Sequence, residues 1–234
     1  MNRKPVIIGE RYREILDTAL KAMGLVPLYL PDNPFVAPAL AGHADLSVFR
    51  YGQELILAPY LRGSGLAADL AELGYETVFA DIRQGAEYPA DCGLNACAVG
   101  ERLLCRRAVT APEILARFAD ERVRDFRQGY ARCSICVVDD GAVITADNGI
   151  AAAADGAGLD VLNIAAGGFE LPGYAHGFIG GSSFKPSADK LMFTGSLSQH
   201  PDVEKIERFI RGHGVEPVYI TQNKPIDIGG AVVL

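Results

Sequence analysis

The stretch His43-Ala44-Asp45-Leu46-Ser47-Val48 decides the fold, because its pattern returns four more times along the chain. The pattern is a small or aromatic residue, a small or branched residue, a polar residue, and then a run of small and apolar residues that predicts a strand. The other copies are Pro89-Ala90-Asp91-Cys92-Gly93-Leu94, Tyr130-Ala131-Arg132-Cys133-Ser134-Ile135, Tyr174-Ala175-His176-Gly177-Phe178-Ile179 and Pro225-Ile226-Asp227-Ile228-Gly229-Gly230. A repeat at this period indicates that each copy begins one supersecondary unit, which cannot bury its apolar face alone.

One column of the repeat is polar or charged in every copy. It consists of Asp45, Asp91, Arg132, His176 and Asp227, at separations of 46, 41, 44 and 51 residues. After each column residue the same elements are predicted: two strands joined by a short turn, a helix, and a further strand. The turns are predicted at Gly52-Gln53, Gly100-Glu101, Asp139-Asp140-Gly141 and Ser187-Ala188-Asp189-Lys190. The pattern therefore predicts an α/β protein built from ββαβ units.

Two of the predicted helices carry start signals. Thr110 with Glu113 three residues later predicts a capping box, in which the two side chains satisfy free amides of the first turn, and Pro112 is tolerated there because it lacks an amide. Asp147 and Asn148 are both cap candidates for a helix near residues 150–155. We therefore expect helices to begin at these two places.

The fifth copy ends at Leu234, before any helix or last strand. The missing parts are predicted at the other end of the chain, as a strand at residues 5–9, a helix at 14–23 and a strand at 26–30. We therefore expect a five-bladed α/β propeller closed by pairing of the N- and C-termini, which also removes exposed strand edges. Residues 1–234 then form one domain, with units near residues 34–85, 86–129, 130–168, 169–224, and 225–234 joined with 1–33.

Composition limits the class of protein. With 234 residues, 49% of them hydrophobic and 22% charged, the chain has the composition of an ordered globular protein. No stretch reaches membrane-spanning length, and the first residues lead into only four apolar ones, too few for a secretory signal, so a cytoplasmic location is expected. Five cysteines, an odd number, favour reduced thiols. The net charge of -7 argues against a nucleic-acid partner.

The polar column is the candidate site. Equivalent positions in related units lie at equivalent radii, so Asp45, Asp91, Arg132, His176 and Asp227 are expected to line one central cavity. Each also has a structural interpretation: an Asp before a strand often bonds nearby amides in a turn, and a buried His is usually a satisfied core residue. A repeated structural turn would produce the same column, so both interpretations stay open.

The ring of five units with polar residues at the strand starts resembles the pentein fold of the guanidine-modifying enzymes, over nearly the whole chain. The resemblance implies a Cys nucleophile near the C-terminus, a His that moves protons, and carboxylates that hold a cationic substrate. His176 takes the place of the His that opens the family's His-Leu-Asp run, and Asp91 that of the early substrate-binding Asp. Phe178, Arg132-Cys133 and Val233 stand where the family has two carboxylates and the nucleophile.

Five cysteines remain as substitutes for that nucleophile. Cys92 and Cys133 each follow a column residue and are the best thiol candidates, but on strands they should point away from the column. We therefore expect core packing for them, as for Cys97, Cys105 and Cys136. Cys133-x-x-Cys136 is only a weak metal signal, because this spacing places strand side chains on opposite faces. In the glycine-rich segment 177–183, close backbone approach is expected, with Ser182 and Ser183 as candidate ligand hydroxyls.

These features favour a divergent pentein that binds a small polar or cationic ligand, such as an amine or guanidine, in a central cavity without covalent Cys catalysis. His176 and Asp91 are the candidate catalytic residues, and Asp45, Arg132, Asp227, Ser182 and Ser183 the candidate ligand-binding residues. The sequence predicts no cofactor and no metal. A non-catalytic scaffold with a protein partner, and a hydrolase or amidinotransferase-type enzyme with a relocated nucleophile, are the alternatives.

Overall fold

The structure is a computed structural model that describes residues 4–234. Its helices are α1 (Arg13–Ala22), α2 (Gly65–Glu72), α3 (Pro112–Leu115), α4 (Ala131–Ser134), α5 (Asn148–Asp155) and α6 (Val203–Gly212). Its strands are β1 (Lys4–Gly9), β2 (Leu25–Leu30), β3 (Val48–Tyr51), β4 (Glu54–Leu57), β5 (Glu76–Phe79), β6 (Cys97–Val99), β7 (Arg102–Cys105), β8 (Val123–Asp125), β9 (Ile135–Asp139), β10 (Ala142–Thr145), β11 (Asp160–Asn163), β12 (Ser183–Ser187), β13 (Lys190–Phe193), β14 (Glu216–Tyr219) and β15 (Val232–Val233).

The strands of the described residues form five small sheets of three strands each, and the strands are arranged in the same way in all five sheets. In four of these sheets an antiparallel hairpin is followed by a helix and then by a strand parallel to the hairpin's second strand. We number these units 1 to 4 by their hairpins, which are β3–β4, β6–β7, β9–β10 and β12–β13. The predicted order of elements is therefore confirmed.

The fifth sheet joins the two ends of the chain. β15 lies antiparallel to β1, with Val6 opposite Val233 and Ile7 opposite Val232, and β1 lies parallel to β2 across α1. This sheet is unit 5, and the pairing of the terminal strands agrees with the prediction. Residues 1–3, which the sequence assigned to the same unit, lie outside the described residues.

The apolar core is divided among the contacts between neighbouring units. Five large clusters of buried residues each combine side chains of two units: 1 with 2, 2 with 3, 3 with 4, 4 with 5, and 5 with 1. For example, Leu16 and Leu20 of α1 share a cluster with Phe184 and Met192 of unit 4. Each unit therefore buries its apolar faces against its neighbours, as the repeat predicts.

One helix start differs from the prediction. Thr110 and Glu113 do not form a capping box: Ala111 precedes the first residue of α3, and no side chain caps the helix. The Thr110 hydroxyl instead donates to the Arg106 carbonyl (3.0 Å), and the Glu113 carboxylate accepts the Asp81 amide (2.9 Å). Pro112 at the first helical position leaves one fewer amide to cap.

Among the described residues, no helix combines the length and the apolar character needed to cross a membrane.

Of the two cap candidates for α5, the structure selects Asp147, whose carboxylate accepts the amides of Gly149 (2.8 Å) and Ile150 (2.9 Å). Asp147→Ala should therefore lower the free energy of unfolding by about 1 kcal/mol. The matched variant Asn148→Ala, at an exposed residue that contacts only the Asn163 side chain by a hydrogen bond, should cost less. Urea unfolding of both variants measures the difference, and an equal loss would contradict the assignment of the cap.

Candidate functional site

The column residues lie on short helical turns or loops before the strands, not on the strands themselves. Asp45 lies in the 3-10 turn Ala44–Leu46, Asp91 directly precedes the turn Cys92–Leu94, and Arg132 lies in α4. His176 lies in a loop seven residues before the first strand of unit 4, and Asp227 in the loop before β15. Since a helical turn does not alternate its side chains as a strand does, the expectation that the following cysteines point away from the column loses its basis.

Cys133 in fact faces the column. Its thiol donates a hydrogen bond to the Asp45 carboxylate, with 2.7 Å between Sγ and Oδ2, although the two residues are 88 positions apart. Cys92 likewise lies 3.3 Å from the Asp91 carboxylate. Both thiols are buried, as expected, but the expectation that they point away from the column is wrong. Cys136 does pack in an apolar cluster, between units 3 and 4.

His43 completes a buried cluster with Cys133 and Asp45. One ligand atom from each of the three residues lies within 4.8 Å of the others, and His43 Nδ1 is 3.9 Å from Asp227 Oδ1. All four residues are at most 3% exposed. Units 1, 3 and 5 thus contribute an imidazole, a thiol and two carboxyl groups to one point in the interior.

This cluster contains polar atoms without partners. Both ring nitrogens of His43 and Asp45 Oδ1 have no hydrogen-bond partner among the described residues. Each such buried group costs about 1–3 kcal/mol. A sulfur, a nitrogen and carboxylate oxygens are ligands that zinc accepts, so the donor set can hold a metal as well as an organic cation. The unsatisfied atoms indicate a place for a ligand.

Burial controls the protonation of the cluster. Burial raises the pKa of Asp45 to about 7, and the charge of Asp227 adds to this rise. Burial also raises the pKa of Asp227, although nearby His43 and the hydrogen bonds from two backbone amides act to lower it. Burial lowers the pKa of His43. Burial and the neighbouring carboxylates raise the pKa of the Cys133 thiol. The resting site is therefore weakly charged, and a cation that entered it would favour ionised carboxylates.

The remaining carboxylates are held by their surroundings. Asp227 accepts the amides of Phe178 (2.8 Å) and Gly229 (3.0 Å), as the turn interpretation predicts. Asp91 accepts the Tyr130 hydroxyl (2.6 Å) and does not line the small cavity described below. Asp227 thus combines a structural role with a place in the cluster, whereas Asp91 orients Tyr130.

Arg132 is bound by backbone carbonyls. Its guanidinium donates to Ile135 (3.2 Å) and Gly180 (3.1 Å), and in the described part of the chain it makes no ion pair with Asp91 or Asp227. Ser182 and Ser183, which were candidate ligand hydroxyls, donate to the carbonyls of Phe178 (2.9 Å) and Gly180 (3.4 Å). These three side chains therefore hold the loop around Gly180.

The glycines of this loop permit the close approach that the sequence predicts. A Cβ atom on Gly181 or on Gly177 would collide with the Asp227 side chain, and one on Gly180 with backbone carbonyls of unit 3. Gly229 has a positive φ of 72° and lies against His43. The backbone thus packs directly on the buried cluster.

A cavity of about 110 Å³ opens onto the cluster. His43, Cys133 and Asp227 are buried in its wall, whereas Tyr174 and His176 are exposed at its rim. Tyr130 and Phe178 line it between them, with ring centroids 6.3 Å apart. His176, the predicted catalytic histidine, therefore lies at the rim, and the buried histidine is His43.

His43 was missed by the sequence analysis although it stands in the stretch that defines the repeat. There it served as the small or aromatic first position. The available signal was the His-x-Asp spacing of His43 and Asp45, which occurs in that copy and in none of the other four. Cys133 was weighed and set aside because a strand was expected at its position.

The geometry can be compared with known proteins. A protein-family model, described as a family of unknown function (DUF6873), matches residues 7–232. The chain belongs to DUF6873. A comparison of the DUF6873 chain with curated proteins finds no match.

Solved structures similar to the DUF6873 chain include two amidinotransferases. One acts in the saxitoxin biosynthetic pathway of Microseira wollei, with 12% identity and a TM-score of 0.53 over 92% of this chain and 88% of that one. The other is an inosamine-phosphate amidinotransferase from Streptomyces griseus, with 14% identity and a TM-score of 0.54 over 94% and 77%.

A third similar structure is a dimethylarginine dimethylaminohydrolase in an adduct with S-methyl-L-thiocitrulline, with 13% identity and a TM-score of 0.55 over 93% of this chain and 92% of that one. These likenesses confirm the pentein fold of the guanidine-modifying enzymes. In the DUF6873 chain Val233 stands where the resemblance implies the C-terminal Cys nucleophile.

The pKa of Asp45 gives the site a signature in stability. In the unfolded chain this carboxyl group loses its proton near pH 3.8, whereas in the folded protein it keeps the proton up to about pH 7. Between these pH values the folded state binds more protons, so the free energy of unfolding should fall as the pH rises. Asp45→Asn should therefore stabilise the protein at pH 8 by about 4 kcal/mol and leave it nearly unchanged near pH 4. Urea unfolding from pH 4 to 8 measures this; the control is Asp69→Asn, at an exposed position of α2. Parallel curves for the two variants would contradict the burial argument.

Proposed function

We propose that this protein binds a small organic cation, of the amine or guanidine class, in the cavity above His43, Cys133 and Asp227. The observation that carries the proposal is the buried carboxyl group of Asp227 in the cavity wall, with a second buried carboxyl group, that of Asp45, in contact with the wall residue Cys133. Neither carboxyl group forms an ion pair with a Lys or Arg side chain of the described residues. A bound cation would supply the missing charge and stabilise both carboxylates.

The cavity walls suit a cation. Three aromatic rings line the cavity, those of Tyr130, Tyr174 and Phe178, and aromatic rings attract ammonium and guanidinium groups. A volume of about 110 Å³ holds several water molecules or one small head group, but not a large ligand. His43, whose pKa burial lowers, adds no positive charge that would repel the ligand.

The proposal includes the architecture around the cavity. The five units form a single domain, closed as a five-bladed propeller, so that the column positions meet at its centre. Pairing of β15 with β1 and the apolar cluster between units 5 and 1 support this closure. The similarity to pentein structures over 92–94% of the chain supports it further.

Isothermal titration calorimetry with methylguanidine, agmatine and arginine tests the binding. We expect saturable binding that strengthens at least fivefold from pH 6 to pH 8, because Asp45 ionises in this range. Phe178→Ala and Asp227→Asn should each weaken binding at least tenfold. The matched control is Phe35→Ala, at an exposed aromatic residue outside the cavity. If none of the three cations binds the folded protein at pH 8, the proposal is wrong and the non-catalytic scaffold is favoured.

The contact of Cys133 with Asp45, beside His43, favours a second candidate function, which is catalysis by a relocated nucleophile. Cys133 Sγ would form a bond to the electrophilic carbon of a bound guanidinium while its proton passes to His43. The C–N bond would then break as an amine leaves with that proton, and water would release the thiol by forming a C–O bond. This route needs a thiolate, which the site at rest does not provide.

Burial and the neighbouring carboxylates raise the pKa of the Cys133 thiol, so we expect no turnover of arginine, agmatine or methylated arginines. The test incubates the purified protein with each compound and follows citrulline, ammonia and covalent adducts by mass spectrometry. Turnover that is lost in Cys133→Ser but retained in Cys97→Ser, another buried cysteine, would establish the relocated nucleophile instead.

A further inference from the structure

A second cavity, of about 610 Å³, is lined by residues of all five units and shares no lining residue with the smaller one. Four cationic side chains line it, and Asp45 is the one acidic side chain of its described lining. The cations are Lys4, Arg50, Arg132 and Lys185. In a protein with a net charge of -7, this concentration of positive charge is not explained by composition.

The four cations lack acidic partners. No carboxylate of residues 4–234 lies within 4.0 Å of any of them. They donate instead to backbone carbonyls: Lys4 to Pro186 (3.2 Å), Arg50 to Gly52 (3.0 Å) and Val233, and Lys185 to Ala188 (2.8 Å) and Val138. Arg132 is held in the same way around Gly180. Carbonyls satisfy these donors. The acidic groups that act on Arg132, which are Asp45 and Asp227, lie beyond ion-pair distance.

The surroundings keep the cations at the cavity. Arg50 and Arg132 are half-buried on β3 and α4, and Lys185 is half-buried on β12. Burial lowers the pKa of Lys185, while the charges of Asp139, Asp140 and Asp189 oppose that change, so Lys185 is the cation with acidic groups nearest. A cavity with low-dielectric walls and one sign of charge concentrates ions of the opposite sign.

We propose that this larger cavity binds a small molecule that carries two or more anionic groups, of the phosphate or carboxylate class. The cations come from four different units, 5, 1, 3 and 4, so they surround a ligand instead of meeting at one point. A ligand with several anionic groups contacts more of them than a monovalent anion does. The volume lies in the range of small-molecule sites, and Gln53 and Tyr75 add polar groups to the wall.

Calorimetric titration with pyrophosphate and with citrate, at constant ionic strength in chloride, tests the site and distinguishes the two classes of anion. We expect one saturable site for at least one of them, weakening as salt increases. Arg50→Gln and Lys4→Gln should each weaken binding at least fivefold. Arg208→Gln, at an exposed cation of α6 outside the cavity, should leave it unchanged.

Two further measurements keep the result interpretable. Because Arg50 also donates a hydrogen bond to the Val233 carbonyl, thermal unfolding without ligand is used to check that each variant folds. If Arg50→Gln does not fold, the test rests on Lys4→Gln, which changes an exposed side chain. Phe178→Ala, which alters the small cavity and lies outside the larger one, should not change anion binding, so failure of the cation site is separable from failure of this one. Absence of saturable binding, or an equal loss in Arg208→Gln, would overturn the proposal.

Discussion

No three-stranded unit of this protein can bury its apolar faces alone, and the rest of the structure depends on this constraint. Each large cluster of buried side chains takes members from two neighbouring units, including a cluster between the unit that joins the termini and unit 1. A unit is therefore stable only between two others. The same requirement brings the segments that precede the first strands of the units close to one another.

That proximity gives the interior its chemistry. The loops and turns that meet there carry Asp45, Cys133, His43 and Asp227, which come from three units and lie far apart in the chain. Glycines at positions 177, 180 and 181 let the backbone of unit 4 pack directly on this cluster. Polar side chains are thus buried because the apolar contacts around them fix the backbone, and their desolvation is a cost that the apolar clusters offset.

Much of the fold was predictable from the sequence, because it rests on periodicity and turn residues. The hairpin turns at Gly52-Gln53 and Gly100-Glu101 and the pairing of the terminal strands follow from local pattern and from the missing half of the fifth copy. The predicted capping box at Thr110 and Glu113 was wrong, because each of the two side chains forms a hydrogen bond with a different partner. Propensity does not show such competing contacts.

The candidate site was predictable only in part. The column correctly marked Asp45 and Asp227 as interior residues. It did not show that a helical turn would replace the expected strand at Ala131–Ser134, and this difference decides where Cys133 points. The sequence analysis chose His176 and did not consider His43, although His43 is the buried one of the two. His176 lies seven residues before the first strand of its unit and His43 five, a distance that the repeat pattern did not reveal.

The recurrence of the column has a consequence for how such proteins diverge. Where segments of different repeats approach a common region, as those that carry Asp45, Cys133 and Asp227 do, a thiol or an imidazole can reach that region from more than one repeat. A reactive group can then pass from one repeat to the next through a few point substitutions, without any change in the backbone. The order of residues along the chain is therefore a poor guide to which residues have equivalent roles in two such proteins. A sequence alignment keeps that order, so it can overlook a site whose residues have moved to other repeats.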